Sequence, residues 1–328
     1  MTVLNFIAAA VLAGAPLLYG TLGEILTEKS GNLNLGVEGM LFMGGVAGLC
    51  GSYFYEQYAV NPIGAVSAII ALVCAFLAAA AGAAIYSFLT ITLRANQNVT
   101  GLALTIFGAG LGNLVGDSIA MSNEMKVMAT GAATKAAFNT AIFPGAMAKL
   151  PFVGKILFSY DFLVYLAILT AIILAIFLRK TRRGLNLRAV GENAAAADAA
   201  GIAVNRYRYF ATIIGGGISG LGGLYIVMNS GNGVGGVWVH NCISGVGWLA
   251  VALVIFATWN PMRAILGSLL FGALSVARLY FPLGIPAQLY DMLPYVATIA
   301  VLIGVSMRAK RENQPPGALG VPYFRENR

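Results

Sequence analysis

Apolar residues run through this chain in long blocks, broken at intervals by short polar or glycine-rich stretches. Runs near 3–26, 36–55, 62–90, 98–116, 159–178, 207–229, 243–258, 264–283 and 290–307 each approach the length of helix needed to cross a bilayer, roughly 20 residues. The pattern predicts an all-α polytopic membrane protein of about nine transmembrane helices, in one membrane domain over residues 1–307 and a polar tail over 308–328. The third run is long for one crossing and is expected to tilt or to extend past the bilayer. Two further features belong to this map: a connection of about 40 residues over 117–158, with Pro144 and Pro151, and an extended tail from Arg308 with Pro315 and Pro316.

Composition agrees. Of 328 residues, 59% are hydrophobic and 10% charged, against roughly 25% charged in a soluble domain. The 41 glycines fit membrane helices, where small residues let backbones approach. Repeats at every fourth position (Gly108, Gly112 and Gly116; Gly44 and Gly48; Gly216 and Gly220) mark close packing faces. The segment Met1–Ile25 lacks a basic leading stretch and reads as a retained first helix.

The net charge of +8 is spread over short loops and the tail, so it describes orientation and not a nucleic-acid partner. Arg179, Lys180, Arg182, Arg183, Arg188, Arg206 and Arg208 form the strongest cluster. Placing that cluster in the cytoplasm puts 15 of the 20 basic residues inside. It leaves Lys126, Lys135, Lys149 and Lys155 in the long 117–158 loop outside, and Arg278 near the outer end of the eighth span. The N-terminus is then outside, the C-terminus inside, and the chain sits in a bacterial inner membrane. Cys50, Cys74 and Cys242 are odd in number and lack metal spacing. No metal cluster is expected, and the absence of a Gly-x-x-x-x-Gly-Lys-Ser/Thr sequence leaves any use of ATP to another chain.

Two polar segments carry candidate chemistry. The first, Ser30-Gly31-Asn32-Leu33-Asn34-Leu35-Gly36-Val37-Glu38-Gly39-Met40, is either a cytoplasmic turn or a broken helix whose polar groups line a solute path. In the second reading Asn32, Asn34 and Glu38 border the path, and Glu38 is an intramembrane carboxylate that needs a partner or water. The second segment spans Gly184 to Ile202. Asn193 is placed to cap a short helix over 194–200, and Gly201 sits where a helix-ending glycine belongs. Asp198 is expected to face solvent. So short a helix is unstable alone; it reads either as a connector lying on the membrane or as an element with a partner surface. A third candidate, Gly217-Ile218-Ser219-Gly220 with the lone His240, would suit a Ser–His dyad, but the span map separates the two residues.

At these segments the chain resembles the permease subunits of bacterial ABC importers for nucleosides and simple sugars, within the wider ribose and branched-chain amino-acid permease group. The residues Ser30–Met40 resemble the signature after that family's first helix, and lie nearest its nucleoside branch. Leu187-Arg188-Ala189-Val190-Gly191-Glu192-Asn193 with Ala199-Ala200-Gly201-Ile202 is similar to its coupling loop. Gly247–Phe256 followed by Trp259-Asn260-Pro261 is a third match in order. The resemblance implies a pore subunit without an ATPase site or bound cofactor, working by alternating access with a cytoplasmic ABC ATPase that hydrolyses the ATP. It also implies an extracytoplasmic substrate-binding protein, for which 117–158 would help form a docking face, and a second permease, more often a different chain than a copy. Gly191, Glu192, Asn193, Asp198 and Gly201 would form the ATPase-coupling element, while Asn32, Asn34, Glu38 and Trp248 would lie near a nucleoside path. Sugar or amino-acid cargo, or a secondary transporter without an ATPase, are the alternatives. Three departures stand out: Ala194 where the family usually has Pro, Trp259 where a basic or polar residue is common, and the unmatched stretch Gly231–Ser244 with Trp238 and His240.

Overall fold

A computed structural model describes residues 2–143, 153–229, 234–281, 284, 286–307 and 314–325. Pro144, Lys149, Pro151, Gly231, Arg308 and the adjoining parts of the 117–158 loop and the tail lie outside the described residues.

The expected spans each become a helix. They are α1 (Thr2–Glu28), α2 (Val37–Tyr58), α3 (Gly64–Ser87) with a π-helical continuation (Phe88–Thr92), and α4 (Gln97–Ser122). Short helices α5 (Ala132–Asn139) and α6 (Val153–Leu157) follow, then α7 (Phe162–Lys180), α8 (Arg182–Glu192), α9 (Ala194–Ala199) and α10 (Val204–Met228). The chain closes with α11 (Val246–Phe256), α12 (Pro261–Tyr280), α13 (Ala287–Asp291) and α14 (Leu293–Met307). Among the described residues, seven helices are long and apolar enough to cross a membrane. The other two expected spans, α11 and α14, have 11 and 15 residues. Helices are forced on such a chain because hydrocarbon offers no partner to a backbone N–H or C=O.

Helices α1, α2 and α10 form the enclosed centre, with α3, α4, α7 and α12 around them. Glycines set the spacing. A Cβ added to Gly44 would come within 2.4 Å of Gly220, and one on Gly108 within 2.5 Å of Gly39, so the fourfold repeats are surfaces of backbone-to-backbone approach. Ser219 faces the backbone of α1, donating to the Gly20 carbonyl at 3.5 Å, whereas His240 pairs with Asp117 at 2.7 Å. The Ser–His dyad is thereby removed.

The described part of the 117–158 connection near its start is more ordered than its weak periodicity suggests. Helix α4 continues to Ser122, α5 is fastened by the Glu56 carboxylate on Thr134 Oγ1 (2.6 Å), and the backbone pairs Ala129 with Val237. Trp238 is buried there and donates its indole N–H to Asp117 at 3.0 Å.

Candidate functional site

The polar segment after α1 does not turn away from the bundle. After Gly31, in the left-handed region at φ +86°, the chain leaves the helix and runs back beside α1, outside any helix over 32–34 and in a turn at 35–36. Helix α2 begins where Val37 reaches Gly20, eight residues before the end of α1. At 1.5 Å rise per residue, that is about 12 Å inside the helix end. The segment is therefore an interruption within the bundle, the broken-helix alternative. Its backbone groups find partners on side chains of the neighbouring helices. The Leu33 N–H donates to Gln97 (2.7 Å), the Asn34 N–H to Glu24 (3.0 Å), and the Leu35 carbonyl accepts from Thr105 (2.8 Å). The Leu33 carbonyl accepts from the Tyr86 hydroxyl. Irregular backbone at membrane depth is tolerated only where protein satisfies it in this way.

Helix α11 also starts inside the bundle. Thr21 of α1 donates to the Ala250 carbonyl at 3.1 Å, and Trp259, just past the end of α11, donates its indole N–H to Glu28 at the end of α1. Thus α11 starts at the level where α2 starts and runs the other way, which is why it is short. The two helix N-termini meet at Glu38. Its Oε1 accepts the Gly245 N–H at 3.1 Å, and Gly247 lies directly against its backbone. A carboxylate between two helix N-termini is favoured by both helix dipoles. Its Oε2 is buried and has no hydrogen-bond partner among the described residues.

Of the residues expected near a solute path, Glu38 and half-exposed Trp248 come together across the α2–α11 junction through Gly247. Asn32 and Asn34 lie elsewhere, buried in the non-helical segment. Asn32 Nδ2 donates to Thr212 Oγ1 at 3.1 Å, and Asn34 Oδ1 accepts the Gly36 N–H at 2.9 Å. Sequence reasoning missed Glu24 and Glu28, both buried on α1. Their spacing of four residues in an otherwise apolar span was the available signal, by the same rule that singled out Glu38.

A second constellation lies at the basic end of the bundle. Helix α8, unforeseen in the sequence, leads into α9, which Asn193 caps as expected by accepting the Ala196 N–H at 3.0 Å. Gly201 follows at φ +82°, with the Gly201 and Ile202 N–H groups bonded back to Asp198 and Ala197. Asp198 is not the solvent-facing carboxylate expected, because Arg325 pairs with it at 3.4 Å. That pair is the end of a longer attachment. The tail is not the extended segment expected: it turns at residues 317–320, where the Leu319 and Val321 N–H groups donate to the Pro316 and Ala318 carbonyls, and it is docked. Ala318 donates to the Gly191 carbonyl (2.8 Å), Gly320 to Gly31 (3.2 Å), and Gly317 to Glu192 (3.3 Å). Arg208, fully buried at the base of α10, donates to Val321 at 3.1 Å. Gly191 must be glycine, since a Cβ there would stand 2.3 Å from the Lys29 carbonyl. The short α9 helix, the α1–α2 interruption and the tail are thus one packed unit.

A multi-pass helical bundle with two interrupted helices meeting at a buried carboxylate, and a capped short helix tied to that interruption, is the architecture of a membrane translocation subunit. The comparisons agree: the chain belongs to the family described as branched-chain amino acid transport system / permease component, whose profile matches residues 4–302. It is 33% identical to the guanosine ABC transporter permease protein NupQ of Bacillus subtilis, over 99% of this chain and 98% of that one. It is 31% identical to the nucleoside ABC transporter permease protein NupC of Lactococcus lactis, over 90% of each. A protein of Haloferax volcanii provisionally named glucose ABC transporter permease protein TsgC13 is 33% identical over 97% of both. No solved structure matches the chain.

Proposed function

We propose that this chain is the pore subunit of an ATP-driven importer of nucleosides, with ATP bound and hydrolysed on a separate cytoplasmic ABC ATPase. The observation that carries the reading is the packing of Gly191 on Lys29 and of the tail on Gly191 and Gly31, which joins the α8–α9 element to the interrupted helix inside the bundle. A push on α9 then has a direct mechanical route to the segment holding Asn32 and Asn34, and onward to Glu38. Such a rigid connection between a surface element and an internal break suits alternating access.

The basic end of the bundle faces the cytoplasm in this reading, and the N-terminus and the α5 region face outward, where a substrate-binding protein docks. Nucleoside cargo is supported by the full-length likeness to NupQ and NupC, and by Trp248 beside Glu38, an aromatic face and a polar acceptor at one junction. A second permease of a different sequence completes the pore. In its support, Bacillus subtilis and Lactococcus lactis each have a further, more distant permease relative, NupP and NupB. The likeness to TsgC13 carries a second reading, sugar cargo. Labelled-solute uptake tests both: deleting the gene is expected to abolish guanosine or adenosine uptake and leave glucose uptake intact. Loss of glucose uptake alone would overturn the nucleoside reading.

A further inference from the structure

A cavity with an apolar wall lies between α7 and α10, with part of α1 behind it. It measures about 730 Å³ and is lined by Ile173, Phe177, Phe210, Ile214 and Ile218, with Arg183 and Arg206 at one end. Its chemistry is sorted along its length. From Arg206 to Ile218 along α10 is 12 residues, or about 18 Å. That is a little over half the hydrocarbon thickness of roughly 30 Å, the reach of one acyl chain in one leaflet. The polar hydroxyl nearby, on Tyr207, is occupied by Asn186 at 3.0 Å.

The arginines are the unusual part. Arg183 lies in the first turn of α8 and Arg206 in the first turn of α10, and neither turn contains an acidic residue. A cation at a helix N-terminus has the wrong sign for the helix dipole. Neither arginine is within ion-pair distance of a carboxylate among the described residues. Two uncompensated guanidinium groups at one end of an apolar groove about one acyl chain long match an amphiphile with an anionic head. A packed protein helix would fill the groove without supplying that charge.

We infer that this groove is a binding site for one anionic phospholipid, its acyl chain against Ile173, Phe210 and Ile214 and its phosphate between Arg183 and Arg206. The lipid would brace the α7–α8–α10 corner from which the α9 element projects.

The test is native mass spectrometry of the purified full chain titrated with phosphatidylglycerol or phosphatidylcholine. The wild type is expected to retain one phosphatidylglycerol, with a preference over phosphatidylcholine of at least about ten-fold from two arginine contacts. The double variant R183Q/R206Q should lose that preference. Ile214→Trp, which fills the groove and leaves both arginines, should lower retention of either lipid. All three positions are at the protein surface or groove, and monodisperse elution checks folding. Equal retention of the two lipids by the wild type, an unchanged preference in R183Q/R206Q, or a second protein chain cross-linked through position 214 would each overturn the assignment.

Discussion

Asn34 donates its backbone N–H to the carboxylate of Glu24, 3.0 Å away on the helix that the chain has just left. Both residues are buried, so the bond holds the non-helical segment against α1 at the point where a membrane helix is interrupted. Removing the acceptor leaves a buried N–H without a partner, at a cost of about 1–3 kcal/mol. Glu24→Ala is therefore expected to lower thermal stability in detergent and to reduce uptake, whereas Glu24→Gln, which keeps an acceptor oxygen, retains most of both. Equal behaviour of the two variants would show that the bond does not hold the segment.

Asn193 opens α9 by accepting the Ala196 N–H. Replacing it with Ala costs about 1 kcal/mol of local helix stability, and replacement with Ser or Asp preserves the cap. With six residues, α9 has little helix stability to lose. Asn193→Ala should cut solute-stimulated ATP hydrolysis by the assembled transporter several-fold with membrane insertion unchanged, and Asn193→Asp should restore it. ATPase stimulation measured on the three proteins decides the point.

The tail makes a separate prediction. Truncation after residue 313 removes the partners of the Gly191 and Gly31 carbonyls and of the buried Arg208 guanidinium. Leaving a buried charged donor unpartnered is expensive. The truncated chain should denature at a markedly lower temperature, and Arg208→Met, which removes the charge as well, should recover part of the loss. No change in denaturation temperature on truncation would mean that the docked tail contributes nothing to the fold.

Asp161 caps α7, accepting from the Leu163 and Val164 backbone N–H groups and from Asn229 (2.7 Å). Asp161→Asn keeps a capping oxygen, whereas Asp161→Ala removes it, at a cost of about 1 kcal/mol. Asp161→Ala should therefore lower the melting temperature in detergent and Asp161→Asn should largely preserve it. Equal melting temperatures for the wild type and Asp161→Ala would show that the cap does not hold the start of α7.

Hydropathy was enough to locate every helix expected to span, since each lies in an apolar block. What it could not show is depth. Val37 and Val246 open helices that look in sequence like any other span, and only the packing of Val37 on Gly20 and of Thr21 on Ala250 reveals that both begin inside the bundle. The cap at Asn193 was readable because it depends on residues three apart. The tail was not, because its attachment is made by backbone groups of Ala318 and Gly320, whose side chains carry no mark of it. Asp198 was misread because its side-chain partner, Arg325, is 127 residues further on.

The central claim is that this chain forms a pore whose motion is driven by an ATPase on another chain. The most direct measurement is purification from native membranes in mild detergent through a C-terminal tag, with mass spectrometry of the proteins that remain bound. Recovery of an ABC ATPase together with a second, different permease, and loss of the ATPase when Gly191 and Glu192 are replaced, is the predicted result. Recovery of the chain alone, folded and in good yield, would contradict the claim and point to a transporter that works without a partner.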